Sequence, residues 1–382
     1  MEILETHNNN GPESFVFSLS NQILHIWPQL TDTFDDVALI YAGFHPDFSF
    51  FTRKTDGIKA QVLEEYKNGK RRFMFECLGE GVSRDVLLKI HTCMDEFVNT
   101  HPDISVYYLT GANNSISIYN NVCIEENLTP YINMMECYYF DYVNGKAYPK
   151  YDIDYKVINR KKKFLCLNKV HRQHRIDLLE LMLKEKLITD DCYYSFYDGS
   201  KASDDALLKL PLEHYPNITS NLDFIKTLRL NFDDTRVNPI DIRDEDLTLF
   251  NNSYFSVVTE TLYHSNNYNF TKTKCHVSNV ESGPFVTEKS TKVIALKHPF
   301  VMVSVPYMLQ ALRDRGYKTF HPYIDETYDT IEDDDLRLEY IVREIKRLTS
   351  QTNSEWLEWV RNIKPIVEHN YELFFNRTSY SA

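Results

Sequence analysis

A chain of 382 residues exceeds what one hydrophobic core usually serves, so two domains are the starting expectation. With 43% hydrophobic and 25% charged residues it has the balance of a folded globular protein, which excludes a disordered or collagen-like chain. A net charge of −13 excludes a protein that coats nucleic acid nonspecifically, because phosphate neutralisation needs massed Lys and Arg.

The start, Met1-Glu2-Ile3-Leu4-Glu5, has neither the basic nor the apolar segment of a secretory signal. The longest apolar stretch, 293–309, is broken by Lys297, His298 and Pro299 and is too polar to span a bilayer. Together these features predict a cytoplasmic protein with no membrane span. The seven cysteines are scattered without metal-site or disulfide spacing, which predicts buried thiols in a reducing compartment.

Taken in order, the first third alternates strand and helix. Apolar runs at 37–41, 72–78 and 104–109 predict strands, each closed by or near a glycine. Between the last two, Ser83 is a candidate N-cap for a helix with Val86, Leu87, Ile90, Met94 and Phe97 on one face. Strand, glycine loop, helix, strand is the rhythm of a doubly wound parallel sheet. The pattern loosens around Tyr148-Pro149-Lys150, and Lys161-Lys162-Lys163 opens a new strand. We expect a first domain over 1–155, a second over 156–350 and a closing helical segment over 351–382.

The second half starts with a strand at 164–168, followed by a polar turn and a helix over 175–187. Strands follow at 193–197 and 254–258. The segment 285–289 leads into a helix through Val293, Ile294 and Leu296, stopped by His298-Pro299, and 300–303 reads as a buried strand. A short helix over 307–315 ends at Gly316, and 317–320 reads as a last strand. A charged helix over 336–348 and one over 354–375 finish the chain. Trp356 and Trp359 lie on that last helix and are expected to pack along the domain junction or on the first domain.

Two turns of the second half carry concentrated charge. Asn168-Lys169-Val170-His171-Arg172-Gln173-His174-Arg175 sets several cations at a helix start, where the dipole disfavours them unless an anion lies between. A solvated basic turn would carry the same charges. In Phe285-Val286-Thr287-Glu288-Lys289, Thr287 is the N-cap and Lys289 is again the wrong charge for a helix start but the right one for phosphate. If both helices belong to one parallel sheet, their N-termini share an edge and can share one anionic ligand. As exposed first-turn charges, Arg175 and Lys289 are expected to be replaceable with little cost to folding.

The strand, polar turn and Arg at a helix start, followed later by Phe-Val-Thr-Glu-Lys, helix and His-Pro-Phe-Val-Met-Val, resemble the donor-binding domain of the α-1,3-fucosyltransferase family over about residues 161–325. The same motifs look like those of phage and marine-virus proteins of this general type. The resemblance implies an α/β fold of two Rossmann-like domains, the GT-B type, with C-terminal helices. It implies a glycosyltransferase moving a sugar from a nucleotide diphosphate donor to a hydroxyl acceptor, a glycan or a hydroxymethylated base of viral DNA. By that resemblance Glu288 contacts the donor ribose, Lys289 phosphate and Arg175 the diphosphate. The full donor set is Asn168, Arg172, Arg175, Glu260, Thr287, Glu288 and Lys289. The helix here ends in Leu296-Lys297-His298-Pro299 where the family has small residues, so no particular base or sugar is implied.

Neither a bound cofactor nor an essential metal is expected. The Asp-x-Asp matches at Asp152-Ile153-Asp154, Asp244-Glu245-Asp246 and Asp333-Asp334-Asp335 are what an acidic chain supplies by composition. A general base would come from the first domain, with Glu80 first, then Glu76 and His45. The reading from a different class is a non-catalytic nucleotide or glycan binder that retains the fold.

Overall fold

The computed structural model describes residues 37–41, 55–77, 82, 84–137, 145, 148, 150, 155–168, 171–196, 212–228, 244–264 and 283–377. Contacts divide the chain into two units. The first is Met1–Tyr139 with Val280–Phe285 and Thr378–Ala382; the second is Phe140–Asn279 with Val286–Arg377.

The first unit runs β1 (Val37–Tyr41), α1 (Thr55–Lys67), β2 (Arg72–Cys77), α2 (Arg84–Thr100), β3 (Ser105–Thr110), α3 (Ser115–Glu125) and β4 (Ile132–Glu136). Its four strands are parallel in the order β1-β2-β3-β4. Phe73, Phe75, Val106 and Tyr108 fill the sheet, and Val86, Leu87, Ile90 and Met94 form the buried stripe of α2. Near-continuous burial along a parallel strand and three-to-four spacing in a helix are the patterns that mark these elements. The candidate cap Ser83 lies outside the described residues. Gly283 belongs to this unit, where Pro284 O accepts from Asn113 N; a Cβ on Gly283 would stand 2.3 Å from Asn113 O, so only glycine fits.

The second unit runs β5 (Lys162–Asn168), α4 (Gln173–Lys184), β6 (Tyr193–Phe196), α5 (Pro216–Ser220), α6 (Leu222–Ile225), α7 (Asp244–Asn252), β7 (Ser253–Thr259), α8 (Glu288–Ala295), β8 (Phe300–Val303), α9 (Met308–Asp314), α10 (Asp334–Thr349) and α11 (Asn353–Asn376). Its strands are also parallel, in the order β6-β5-β7-β8. Every residue of β7 and β8 is buried, as an interior parallel sheet requires. The fold is therefore α/β, with two Rossmann-like parallel sheets and C-terminal helices. Among the described residues no helix is long and apolar enough to cross a membrane.

Helix α11 packs on α8, and α10 packs on α4 and β8. Trp356 stacks on Tyr254 of β7 at 4.1 Å, and Trp359 Nε1 donates to Tyr323 O at 3.2 Å. Both rings thus belong to the core of the second unit itself. The strand expected at 317–320 is not formed. Asn370 of α11 takes both backbone groups of Lys318, at 2.8 Å each, and Glu326 takes the N–H of Phe320, so a side-chain amide stands where a neighbouring strand would.

Candidate functional site at the edge of the second sheet

From β5 the chain steps to β6 on one side, then returns to β7 on the other side of β5. Right-handed crossovers then place α4 and α8 on opposite faces, and their first turns diverge around the carboxyl ends of β5 and β7. Such a switch point is where open parallel sheets bind ligands. Asn168 ends β5 and Thr259 ends β7; Thr259 Oγ1 donates to Asn168 Oδ1 at 2.7 Å, and Asn168 Nδ2 donates to Cys166 Sγ. Asn168 is 1% exposed. It fastens the ends of the two strands together.

The basic turn is ordered from inside. Arg172 is the N-cap residue of α4, extended at φ −84°, ψ 154°, and its Nη1 donates to Thr261 O at 3.4 Å. His174 is buried and stacks on Tyr263 at 5.1 Å. Its Nε2 faces Glu260 O at 3.0 Å and must carry the proton, since a carbonyl only accepts. Burial and the neighbouring Arg175 charge hold His174 well below the ordinary imidazole range, so it is neutral. His171 lies flat on Phe196 at 4.2 Å.

Arg175 departs from expectation. It is 3% exposed rather than an exposed first-turn charge, and its Nη2 donates to Thr259 O at 3.0 Å. Burial, with Arg172 beside it, brings its guanidinium down to about 10, against the pull of Glu260. Arg175 braces β7 from below, and its replacement carries a folding cost.

On the other flank, Thr287 caps α8, accepting from Lys289 N at 3.3 Å. Glu260, fully buried, reaches into that first turn. Its Oε2 accepts from Thr287 Oγ1 at 2.6 Å and Thr261 N at 3.1 Å; its Oε1 accepts from Ser290 Oγ at 2.5 Å and Thr287 N at 3.3 Å. Those four bonds use the carboxylate's acceptor capacity. Glu260 therefore positions the start of α8. It also supplies the anion that the helix dipole favours at the start of α8.

Lys289 Nζ donates to Glu288 Oε1 at 2.8 Å, Thr261 Oγ1 at 3.1 Å and Thr287 Oγ1 at 3.4 Å. Burial works against the Glu288 charge, yet the Lys289 ammonium and hydrogen bonds hold its carboxyl below the ordinary range. Arg172 and Lys289, from two helices, thus meet on one residue, Thr261. Thr261 was not singled out from sequence; its signal is its place two residues past the end of the buried strand β7.

Just beyond, Arg337 is 1% exposed and donates to the carbonyls of Ser304, Tyr263, Ile331 and Glu332 and to Asp334 Oδ1 at 2.6 Å. Asp334 Oδ2 also pairs with His264 Nδ1 at 3.3 Å. Sequence reading missed this lock on the loop after β7, since nothing local links residues 74 positions apart. Asp333 caps α10 by accepting from Leu336 N. The run 333–335 is thus engaged as helix cap and ion pair. Asp152 and Asp154, and the side chains of 244–246, lie outside the described residues; among those described, no His/Cys/Asp/Glu group suits a metal ion.

The expected general bases lie in the first unit. Glu80 and His45 are outside the described residues. Glu76, on β2, is 2% exposed and buried in the sheet. Glu136, at the carboxyl end of β4, is a carboxylate that sequence reading passed over. Its Oε1 accepts from Ser115 N at 2.6 Å and Ser115 Oγ at 2.9 Å, capping α3 where left-handed Asn114 provides no side-chain cap.

No family model and no curated protein matches the chain. Solved structures with a related fold include a UDP-forming α,α-trehalose-phosphate synthase from Burkholderia xenovorans, at 11% identity and TM-score 0.44, over 97% of this chain and 78% of that one. The N-terminal domain of Candida albicans trehalose-6-phosphate phosphatase aligns at 8% identity and TM-score 0.44, over 97% and 76%. An α,α-trehalose 6-phosphate synthase from Burkholderia multivorans aligns at 12% and 0.42, over 96% and 74%.

Proposed function

We propose that the chain is a glycosyltransferase of the GT-B type that uses a nucleotide diphosphate sugar, bound at the β5/β7 crevice of the second unit. The observation that carries this reading is the convergence of Arg172 and Lys289 on Thr261 at the switch point of a parallel sheet. Two cations delivered by separate elements suit a diphosphate, Arg as a planar fork and Lys as a point charge. Arg175 beneath them adds positive field from a buried position, where it is weakly screened.

The diphosphate gains charge as the glycosidic bond breaks, so cations fixed there stabilise the transition state more than the ground state. Glu288, at the mouth of the same cluster, is the acceptor for ribose hydroxyls. In this reading the α-1,3-fucosyltransferase likeness retains Lys289 and Glu288 as ligand contacts and makes Arg175 a support. The first unit binds the hydroxyl acceptor, for which a glycan is the default.

Thermal shift with nucleoside diphosphates and their sugars tests the reading. A ligand at 100 times its Kd stabilises the folded chain by about 2.7 kcal/mol. Stabilisation that disappears in Arg172→Ala and Lys289→Ala supports the site; hydrolysis or transfer of the matching nucleotide sugar then separates an enzyme from a binder. Absence of any nucleotide-dependent shift would overturn the proposal.

A further inference from the structure

We infer that Glu288 is a built-in counter-ion, exchanged when a ligand enters, so that the site selects nucleoside diphosphates against bare pyrophosphate. The inference rests on the function proposed above and sharpens its ligand class.

An ammonium has three donors, and Lys289 has three acceptors around it: Glu288 Oε1 and the hydroxyls of Thr261 and Thr287. A phosphate oxygen reaches Lys289 only by replacing one of them. The two hydroxyls are neutral, so the charged competitor is Glu288. Glu260 cannot yield in its place, because its four bonds build the turn and the first turn of α8.

In the pair the Glu288 side chain is 19% exposed, so a carboxylate that gives up Lys289 without leaving its place stays largely buried beside the incoming anion. Like charges at that range repel, and a carboxylate stripped of its partner in a dry place is strongly disfavoured. A ligand bearing vicinal hydroxyls next to its phosphates removes the difficulty by donating to that carboxylate. A nucleoside diphosphate has them on its ribose; pyrophosphate has none. The ion pair thereby converts a general anion site into one that demands an anion with an attached diol.

Calorimetric titration of the full chain with pyrophosphate and with the common nucleoside diphosphates tests this. Wild type is expected to favour its best nucleoside diphosphate over pyrophosphate. In Glu288→Gln, which removes the charge and keeps the shape, pyrophosphate should bind more tightly and the preference should shrink by about tenfold or more. Glu288→Ala removes the same charge by a different route and should also tighten pyrophosphate. Lys289→Ala should weaken both ligands. If the nucleoside diphosphate binds wild type but neither Glu288 variant gains affinity for pyrophosphate, the counter-ion inference is overturned while the site stands. If wild type binds neither ligand, the function proposed above falls, and this inference with it.

Discussion

In the first unit the chain steps from β1 to β4 always toward the same side, whereas in the second it goes from β5 to β6, then back past β5 to β7. With right-handed crossovers the first pattern keeps α1, α2 and α3 on one face, and neighbouring loops close over one another. The second pattern splits α4 from α8 and opens a crevice between the ends of β5 and β7. Both edges use the same local device, a strand-end carboxylate holding a helix start: Glu136 on Ser115 in one, Glu260 on Thr287 and Ser290 in the other. Among the described residues, the second edge also brings the cations Arg172, Arg175 and Lys289 to the end of β7 and the turn after it. A capped helix start is thus a general way to finish a parallel sheet, and topology with charge decides which edge can take an anion.

If this contrast is right, damage at the second edge costs stability and ligand binding in separable ways. The largest stability loss is expected for Arg337→Ala. It strips donors from four carbonyls and takes the arginine partner from buried Asp334, so about 3–5 kcal/mol should vanish in urea denaturation, the range for breaking one side of a buried pair. Next, Lys289→Ala should lower kcat by about 10²–10³, as for a lost electrostatic stabiliser, and should cost less stability than Arg337→Ala because the Lys289 side chain is 30% exposed against 1% for Arg337. Equal loss of stability in both variants would erase the separation.

A pH titration sharpens the contrast from inside the core. His298 is buried between Ser256 and Ser253 with its pKa brought down to about 3 by burial, then by Arg160. Between pH 6.5 and about 3 the unfolded chain binds this proton and the folded chain does not. Stability therefore falls as pH falls through that window, by about 1.4 kcal/mol per pH unit for one group. His298→Gln should flatten the acid limb of the stability–pH curve by one proton; an unchanged slope would assign that limb elsewhere. Smallest is Glu136→Ala, expected to cost about 1 kcal/mol as a lost helix cap and to leave nucleotide binding intact.

Much of this was legible in the sequence, for identifiable reasons. The runs at 37–41 and 300–303 became strands with those bounds because buried parallel strands are continuous apolar segments. Thr287 could be read as a cap because its signal is local. Burial across long sequence separations could not be read. Arg175 looked like a surface cation, yet its partner Thr259 lies 84 residues away; Glu260 holds the start of α8 from a separate segment. Asn370 pre-empting the strand at 317–320 belongs to the same class, since a helix 52 residues on supplies the missing ladder.

The central claim, that Arg172 and Lys289 form an anion clamp at the β5/β7 crevice, is tested most directly by calorimetric titration of nucleoside diphosphates into wild type and the Arg172→Ala/Lys289→Ala double variant. Wild type should bind at least one nucleoside diphosphate with salt-sensitive affinity, and the folded double variant should lose that binding by at least about 100-fold, two partly desolvated charge contacts being removed. Equal affinity in the two proteins would contradict the account.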